Sequence, residues 1–289
     1  MERIHRVSEL RTRLGELRRA GERIALVPTM GNLHEGHLAL VDTARTLADR
    51  VVATIFVNPL QFGPGEDFDA YPRTLDADAE ALAAHGTDLL FAPPVEEMYP
   101  DGPQLATSVR VAGLSDVLCG LGRPGHFDGV ATVVAKLFAA CRPDIACFGA
   151  KDRQQLLIVE RMARDLSFGV EIVAVPTLRS EDGLALSSRN GYLAEVERRT
   201  APKLSEVLGR TVARFATEGD AADVAALEQA AIAELAAEGF GVEYLELRRT
   251  TDLAAAQAGD GDVTAFAAAR LGTTRLIDNV ATTEVHGNA

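Results

Sequence analysis

The chain has 289 residues, enough for one large or two modest domains with a substantial core. Its formal charge of −13 argues against a nucleic-acid partner, which needs a basic surface, but leaves room for a local cationic pocket. With 47% hydrophobic and 25% charged residues the composition is that of a globular protein, and no apolar run approaches the ~20 residues that cross a bilayer.

The opening Met1-Glu2-Arg3-Ile4-His5-Arg6 lacks the apolar core of a signal peptide. Cys119, Cys141 and Cys147 are odd in number and show no CxxC spacing, so reduced thiols and a cytoplasmic setting are expected. Cys119 falls in a Gly-rich stretch and reads as a loop residue open to solvent, small rather than reactive.

The first strand with chemistry behind it is the apolar run 24–27, followed by Pro28-Thr29-Met30-Gly31-Asn32-Leu33-His34-Glu35-Gly36-His37. This order predicts a short buried strand, a Gly-containing turn and a helix over 36–48 with Leu38, Leu40, Val41 and Ala44 inward. A helix start gathers unpaired N–H groups and the positive end of the helix dipole, which suits phosphate. His34 and His37 lie three residues apart, on one face of such a turn. Two imidazoles there can donate to phosphoryl oxygens as charge develops. The other reading is a pair of surface or zinc-binding histidines, but no Cys or third His lies nearby and HExxH is not what is written. Nucleotide-phosphate binding is the expectation.

A second strand is expected over 51–57, ending in Asn58-Pro59-Leu60-Gln61-Phe62. These amides can read hydroxyls beside a substrate carboxylate, although Asn-Pro is equally a turn signal. A helix over 73–85 and a strand at 88–91 follow. Arg123-Pro124-Gly125-His126-Phe127-Asp128-Gly129-Val130 presents Arg and His before a helix over 127–141, and by composition alone such a loop is readily structural. After a strand at 144–148, Phe148-Gly149-Ala150-Lys151-Asp152-Arg153-Gln154-Gln155 again sets strand, Gly turn and helix start in order. Lys151 can supply a point charge to phosphates, and Asp152 can accept from ribose hydroxyls or cap the helix over 152–166. Gln155 falls one turn beyond Lys151 on the same face. A strand at 170–175 closes the series.

Apolar strands separated by amphipathic helices indicate an α/β domain, with a parallel sheet covered on both faces and the polar loops gathered on one rim. From about residue 178 the texture changes. Leu186-Ser187-Ser188-Arg189-Asn190 offers two hydroxyls and a guanidinium that can clamp an anion, or serines that cap a helix. An Ala-rich helix over 221–238 and strands at 242–247, 263–269 and 274–280 predict a smaller α+β domain. The expected domains are therefore 1–177 and 178–289.

Six segments in order carry a resemblance: Pro-Thr-Met-Gly-x-Leu-His-x-Gly-His, Phe-Val-Asn-Pro-x-Gln-Phe, Tyr-Pro-Arg-Thr, Arg-Pro-Gly-His-Phe, Phe-Gly-x-Lys-Asp-x-Gln-Gln and Ser-Ser-Arg-Asn. Spread over residues 28–190, they resemble the pantoate–β-alanine ligase (pantothenate synthetase) family. The resemblance implies a Rossmann-like, doubly wound parallel sheet of the nucleotidyltransferase type, a smaller C-terminal α+β domain able to move over the site, and a homodimer. It implies a two-step ligation as well. Pantoate carboxylate attacks the α-phosphorus of ATP and releases pyrophosphate; the amine of β-alanine then attacks the acyl carbon of pantoyl adenylate, giving pantothenate and AMP.

Carried over by position, the resemblance has His34 and His37 on the ATP phosphates, with Lys151, Ser187, Ser188 and Arg189 neutralising them. Met30, Gly149, Asp152, Leu178 and Leu186 complete the ATP site. Gln61 and Gln155 would bind pantoate beside Met30, and Asn58, Tyr71, Arg123 and His126 would line the β-alanine region. Magnesium would bridge phosphate oxygens, with Asp78 holding one of its waters. Four positions depart from the family pattern. Ala77 thins the acidic patch around Asp78, Ala150 replaces Glu or Gln, Arg153 replaces an aromatic residue, and Leu186 replaces Met. None removes a group assigned to chemistry; effects are expected on adenine fit, magnesium affinity or turnover.

Overall fold

A computed structural model describes residues 1–63, 68–69 and 71–286. The chain divides into two compact units. One comprises Met1–Asp116, Gly120–Ala150 and Gln155–Pro176; the other comprises Thr177–Ala289 together with two short stretches, Val117–Cys119 and Lys151–Gln154.

The first unit runs β1 (Glu2–Ile4), α1 (Val7–Arg19), β2 (Ile24–Thr29), α2 (Glu35–Leu47), β3 (Arg50–Ile55), α3 (Leu75–Ala84), β4 (Leu89–Phe91), α4 (Val95–Met98), α5 (Cys119–Gly122), α6 (His126–Cys141), β5 (Ile145–Gly149), α7 (Arg153–Asp165) and β6 (Glu171–Val175). Among the described residues the strands form one six-stranded parallel sheet in the order β1-β4-β3-β2-β5-β6. This is the doubly wound α/β arrangement that the alternating pattern predicted. Alternate residues of the strands, among them Ala25, Val27, Val51, Ala53, Leu90, Ile145 and Cys147, pack on Leu40, Val41 and Ala44 of α2 and Ala79 and Leu82 of α3. The period of two along each strand sends the intervening residues to the opposite face, where α6 packs on β2 and on α1.

The pairing of β2 changes along its length. Its register with β3 runs from Ile24↔Arg50 to Thr29↔Ile55, whereas its register with β5 covers only Ala25↔Ile145 and Leu26↔Ala146. Beyond Leu26 the two strands part, and Pro28, which has no N–H to give, lies in the stretch paired to β3 alone. β2 is also where the strand order reverses, so the crevice of this doubly wound sheet opens at the carboxyl ends of β2 and β5.

The second unit contains α8 (Glu195–Thr200), α9 (Lys203–Glu218), α10 (Val224–Ala237), β7 (Gly241–Arg249), β8 (Val263–Leu271), β9 (Thr274–Ala281) and α11 (Thr282–His286). Its three strands are antiparallel in the order β7-β8-β9, as an α+β domain requires. Leu204, Val207, Leu208, Val212 and Phe215 of α9 share a core with Leu227, Ala231 and Leu235 of α10 and the inward side chains of β7 and β8. Asp223 caps α10 by accepting from Ala226 N at 3.0 Å.

Seven of these elements lie outside the sequence expectations: β1, the short helices α4, α5, α8 and α11, and the two long helices α1 and α9. Both long helices carry the helical period, with Leu10, Leu14 and Leu17 in one and Leu204, Val207, Leu208, Val212 and Phe215 in the other, all buried. Cys119 departs from the expected exposed loop. It opens the helical turn α5 and is buried, with Sγ 3.0 Å from the Tyr244 hydroxyl. The neighbouring glycine serves close packing, since a Cβ at Gly120 would lie 1.9 Å from Ser115 O. No helix among the described residues is long and apolar enough to cross a membrane.

Candidate active site

The loop between β2 and α2 is built from the inside. Gly31 has φ +83, and a Cβ there would approach Asp78 Oδ2 to 3.0 Å and Ile55 Cγ2 to 3.1 Å, so only glycine fits the turn. Asp78 is buried, and its carboxylate accepts from Asn32 N and Leu33 N (2.9 Å each) and from Thr74 Oγ1 (3.0 Å). Asp78 is therefore a buried clamp on this loop, its carboxylate accepting from donors that the turn leaves without helical partners.

His34 and His37 meet at the first turn of α2. His34 is the N-cap, and its Nδ1 accepts from Gly36 N at 3.1 Å; His37 Nδ1 accepts from His34 N at 3.4 Å. The two rings lie 4.1 Å apart, centroid to centroid. Because each Nδ1 faces a backbone N–H, the neutral tautomer of each ring carries its proton on Nε2. The helix start thus couples its own dipole to two imidazole N–H donors, directly behind the strand that borders the crevice.

Around the end of β3 the structure joins four of the predicted residues. Asn58 caps the 3₁₀ turn Pro59–Gln61, and α6 lies so close that a Cβ at Gly129 would fall 2.1 Å from Leu60 O. Arg123 Nη2 donates to Gln61 O (3.1 Å), His126 Nδ1 bonds the same carbonyl (2.8 Å), and Arg123 Nη1 bonds His126 Nε2 (3.1 Å). A carbonyl only accepts, so His126 carries its proton on Nδ1 and is held neutral beside Arg123. Asn58 is fully buried, with Nδ2 donating to Gln61 Oε1 (3.0 Å) and Gly129 O (3.1 Å). It therefore does not line an amine pocket as expected; its amide is engaged in holding Gln61. Tyr71 is also buried, edge-on to Phe62 at 5.7 Å. Met30 lines a cleft of about 240 Å³ with Ile55, Val57 and Thr74, over β3 and β4. Gly149 ends β5, and Gln155 is half-buried near the start of α7.

In the second unit, Lys151 lies in the 3₁₀ turn Ala150–Asp152 with its side chain 17% exposed and Nζ 4.0 Å from Asp152 Oδ2. Its carbonyl accepts from Asn279 Nδ2 at 2.8 Å. Leu178 and Leu186 are joined by Leu186 N to Leu178 O (2.9 Å), and Arg179 bridges to Ala185. This short antiparallel ladder delivers Ser187, whose Oγ caps the 3₁₀ turn Ser188–Tyr192 by accepting from Arg189 N at 3.3 Å. Arg179 ties the ladder to β9 through a two-pronged ion pair with the buried Asp278 (2.7 and 3.0 Å).

The family model described as pantoate-beta-alanine ligase matches residues 2–281 of this chain. The chain belongs to that family. A pantothenate synthetase of Chromohalobacter salexigens is 55% identical over 275 residues, 95% of this chain and 96% of its own. That of Thioalkalivibrio sulfidiphilus is 57% identical over 280 residues, 97% of each. Among solved structures, pantothenate synthetase from Thermus thermophilus has a TM-score of 0.89 at 48% identity, covering 97% of this chain and 99% of its own. The Francisella tularensis ligase, solved with β-γ ATP and β-alanine, has a TM-score of 0.79 at 31% identity over 98% of each chain.

Within this ligase the residues that sequence reasoning missed are those that hold others: Tyr99 behind Asn58, and Asp278 and Asn279 behind the Arg179 ladder and Lys151. The run Thr274–Ala281 reads as a plain strand, and only the buried polar pair within it hints at more.

Proposed function

We propose that the chain condenses pantoate with β-alanine at the expense of ATP, through a pantoyl adenylate, releasing pyrophosphate and AMP. The observation that carries this reading is the pair of Nε2–H donors set at the start of α2 by backbone bonds to each Nδ1. Attack of the pantoate carboxylate on the α-phosphorus forms one P–O bond and breaks another, moving negative charge onto phosphoryl oxygens. Donors already oriented for that charge lower the barrier without reorganising. We assign His34 and His37 to these oxygens, and Lys151, Ser187, Ser188 and Arg189 to the remaining phosphate charge. Met30, Gly149, Asp152, Leu178 and Leu186 are assigned to the nucleotide. Gln61 and Gln155 are assigned to pantoate.

In the second step the β-alanine amine attacks the acyl carbon, the C–O bond to AMP breaks, and the amine proton is lost. Arg123, a half-buried cation beside neutral His126, suits the carboxylate of β-alanine. No group of three or more His, Cys, Asp or Glu fit for a metal occurs among the described residues, and Asp78 is engaged by its three donors. On this reading magnesium enters with the substrate as MgATP, held by phosphate oxygens and water. A homodimer in the cytoplasm completes the reading by family analogy, checked by light scattering and cell fractionation.

The deciding experiment supplies ATP, magnesium and pantoate first, and β-alanine second. A stoichiometric burst of pyrophosphate, with AMP and pantothenate only after the amine arrives, supports the ligase. A stable nucleotidylated product, or pyrophosphate release that ignores pantoate, refutes it.

A further inference from the structure

The orientation of the Gln61 side chain is dictated by backbone groups that cannot reverse roles. Leu60 N–H can only donate and Gly129 C=O can only accept. The first donates to Asn58 Oδ1 at 3.3 Å, and the second accepts from Asn58 Nδ2 at 3.1 Å. Flipping the Asn58 amide would set oxygen against carbonyl oxygen and N–H against N–H, so one orientation survives. The other Nδ2 hydrogen goes to Gln61 Oε1 at 3.0 Å, which leaves Gln61 turning Nε2 away from Asn58. Among the described residues no partner takes that Nε2.

One more residue completes the chain. Tyr99 OH lies 2.8 Å from Asn58 Oδ1, and since that oxygen is an acceptor the hydroxyl must donate. Tyr99 is 2% exposed, its ring tilted against Phe56 at 6.1 Å with Lys136 Nζ 5.4 Å from its centroid. Burial raises its hydroxyl above the ordinary phenol value, so it remains a donor at every working pH. A buried donor with one acceptor in reach is a fixed end to the chain Tyr99–Asn58–Gln61.

We propose that Tyr99 is a positioning residue for pantoate: through Asn58 it holds Gln61 with its Nε2 donors outward, so that the site selects an acceptor oxygen of the hydroxy acid. This rests on the reading that Gln61 binds pantoate. Tyr99 acts through two amides and not on the substrate, so its effect should travel with Gln61. Removing it leaves Asn58 Oδ1 with Leu60 N–H alone and loosens the pair of amides without reversing it.

The test is a double-mutant cycle on the full chain, reading KM for pantoate and for ATP, pantoate affinity by calorimetry, and melting temperature. Tyr99→Phe should weaken pantoate about three- to tenfold, the scale of one neutral hydrogen bond, with the KM for ATP unchanged. In a Gln61→Ala background the same change should add nothing to the loss of pantoate affinity. An unchanged pantoate KM in Tyr99→Phe overturns the proposal. So does an equal loss with and without Gln61, or a parallel loss for ATP, because each means the hydroxyl serves general stability. A wild-type chain that makes no pantothenate, or a Gln61→Ala variant that binds pantoate normally, breaks the underlying reading instead.

Discussion

The two units hold their candidate phosphate ligands in opposite ways. The Nδ1 bonds of His34 and His37 lie within a span of three residues, inside one helix cap. Lys151, and the Arg179 ladder that leads into Ser187–Arg189, are tied by bonds that reach 128 and 99 residues along the chain, to Asn279 and Asp278. The first kind is fixed by its own turn and by the Asp78 clamp on the loop before it. The second, remotely tethered, is right only when the whole antiparallel unit is folded. Damage to the first kind should therefore show in rate, and damage to the second in rate and stability together.

The sharpest way to break this contrast is His37→Ala. Loss of one oriented donor should slow pyrophosphate release about 10²–10³-fold, with little change in melting temperature. A large stability loss would mean the cap is less self-contained than its bonds indicate. Next comes Asp278→Ala, which strands Arg179 in a largely buried position. It should cost about 3 kcal/mol in denaturant unfolding and also weaken ATP binding. A variant as stable as the parent would dissolve the distinction.

Asn279→Ala removes the neutral bond to the Lys151 carbonyl and should lower kcat about fivefold, with pantoate binding intact. The smallest effect concerns the thiols of the parallel unit. Burial pushes Cys141 up to about 12 and Cys147 up to about 11, so both remain thiols at pH 8. Neither should react with a thiol reagent until the chain is unfolded, when all three cysteines should titrate. Prompt labelling of Cys147 in the native chain would show the sheet opening locally.

Much of the parallel unit could be read in advance because its strands are continuous apolar runs, and such runs have few other fates. The helix start at His34 was legible for the same reason its geometry is robust: cap, turn glycine and apolar stripe lie within one short segment. Asn58 was misread because a turn-forming Asn and a ligand-binding Asn look identical until Gly129 brings α6 against Leu60. The clamp formed by Asp78 was hidden in the same way, since its donors belong to a loop 46 residues earlier. β1 is too short for a period to show, and Cys119 sits beside Gly120, which packs tightly where a loop would usually lie.

The amino-acid sequence by itself determined the class of fold, the two textures of the chain, the histidine pair at a helix start and the family to which the motifs point. These depend on period, capping and short spacings, which are properties of neighbours along the chain. Only the tertiary structure decided where β2 leaves β5 to open the crevice, which amide end Gln61 presents, and that Asp278 and Asn279 stand behind Arg179 and Lys151. Those facts depend on which donor meets which acceptor across dozens of residues. Hydrogen bonds are directional, and their partners become known only once the chain has brought them within 3 Å or so.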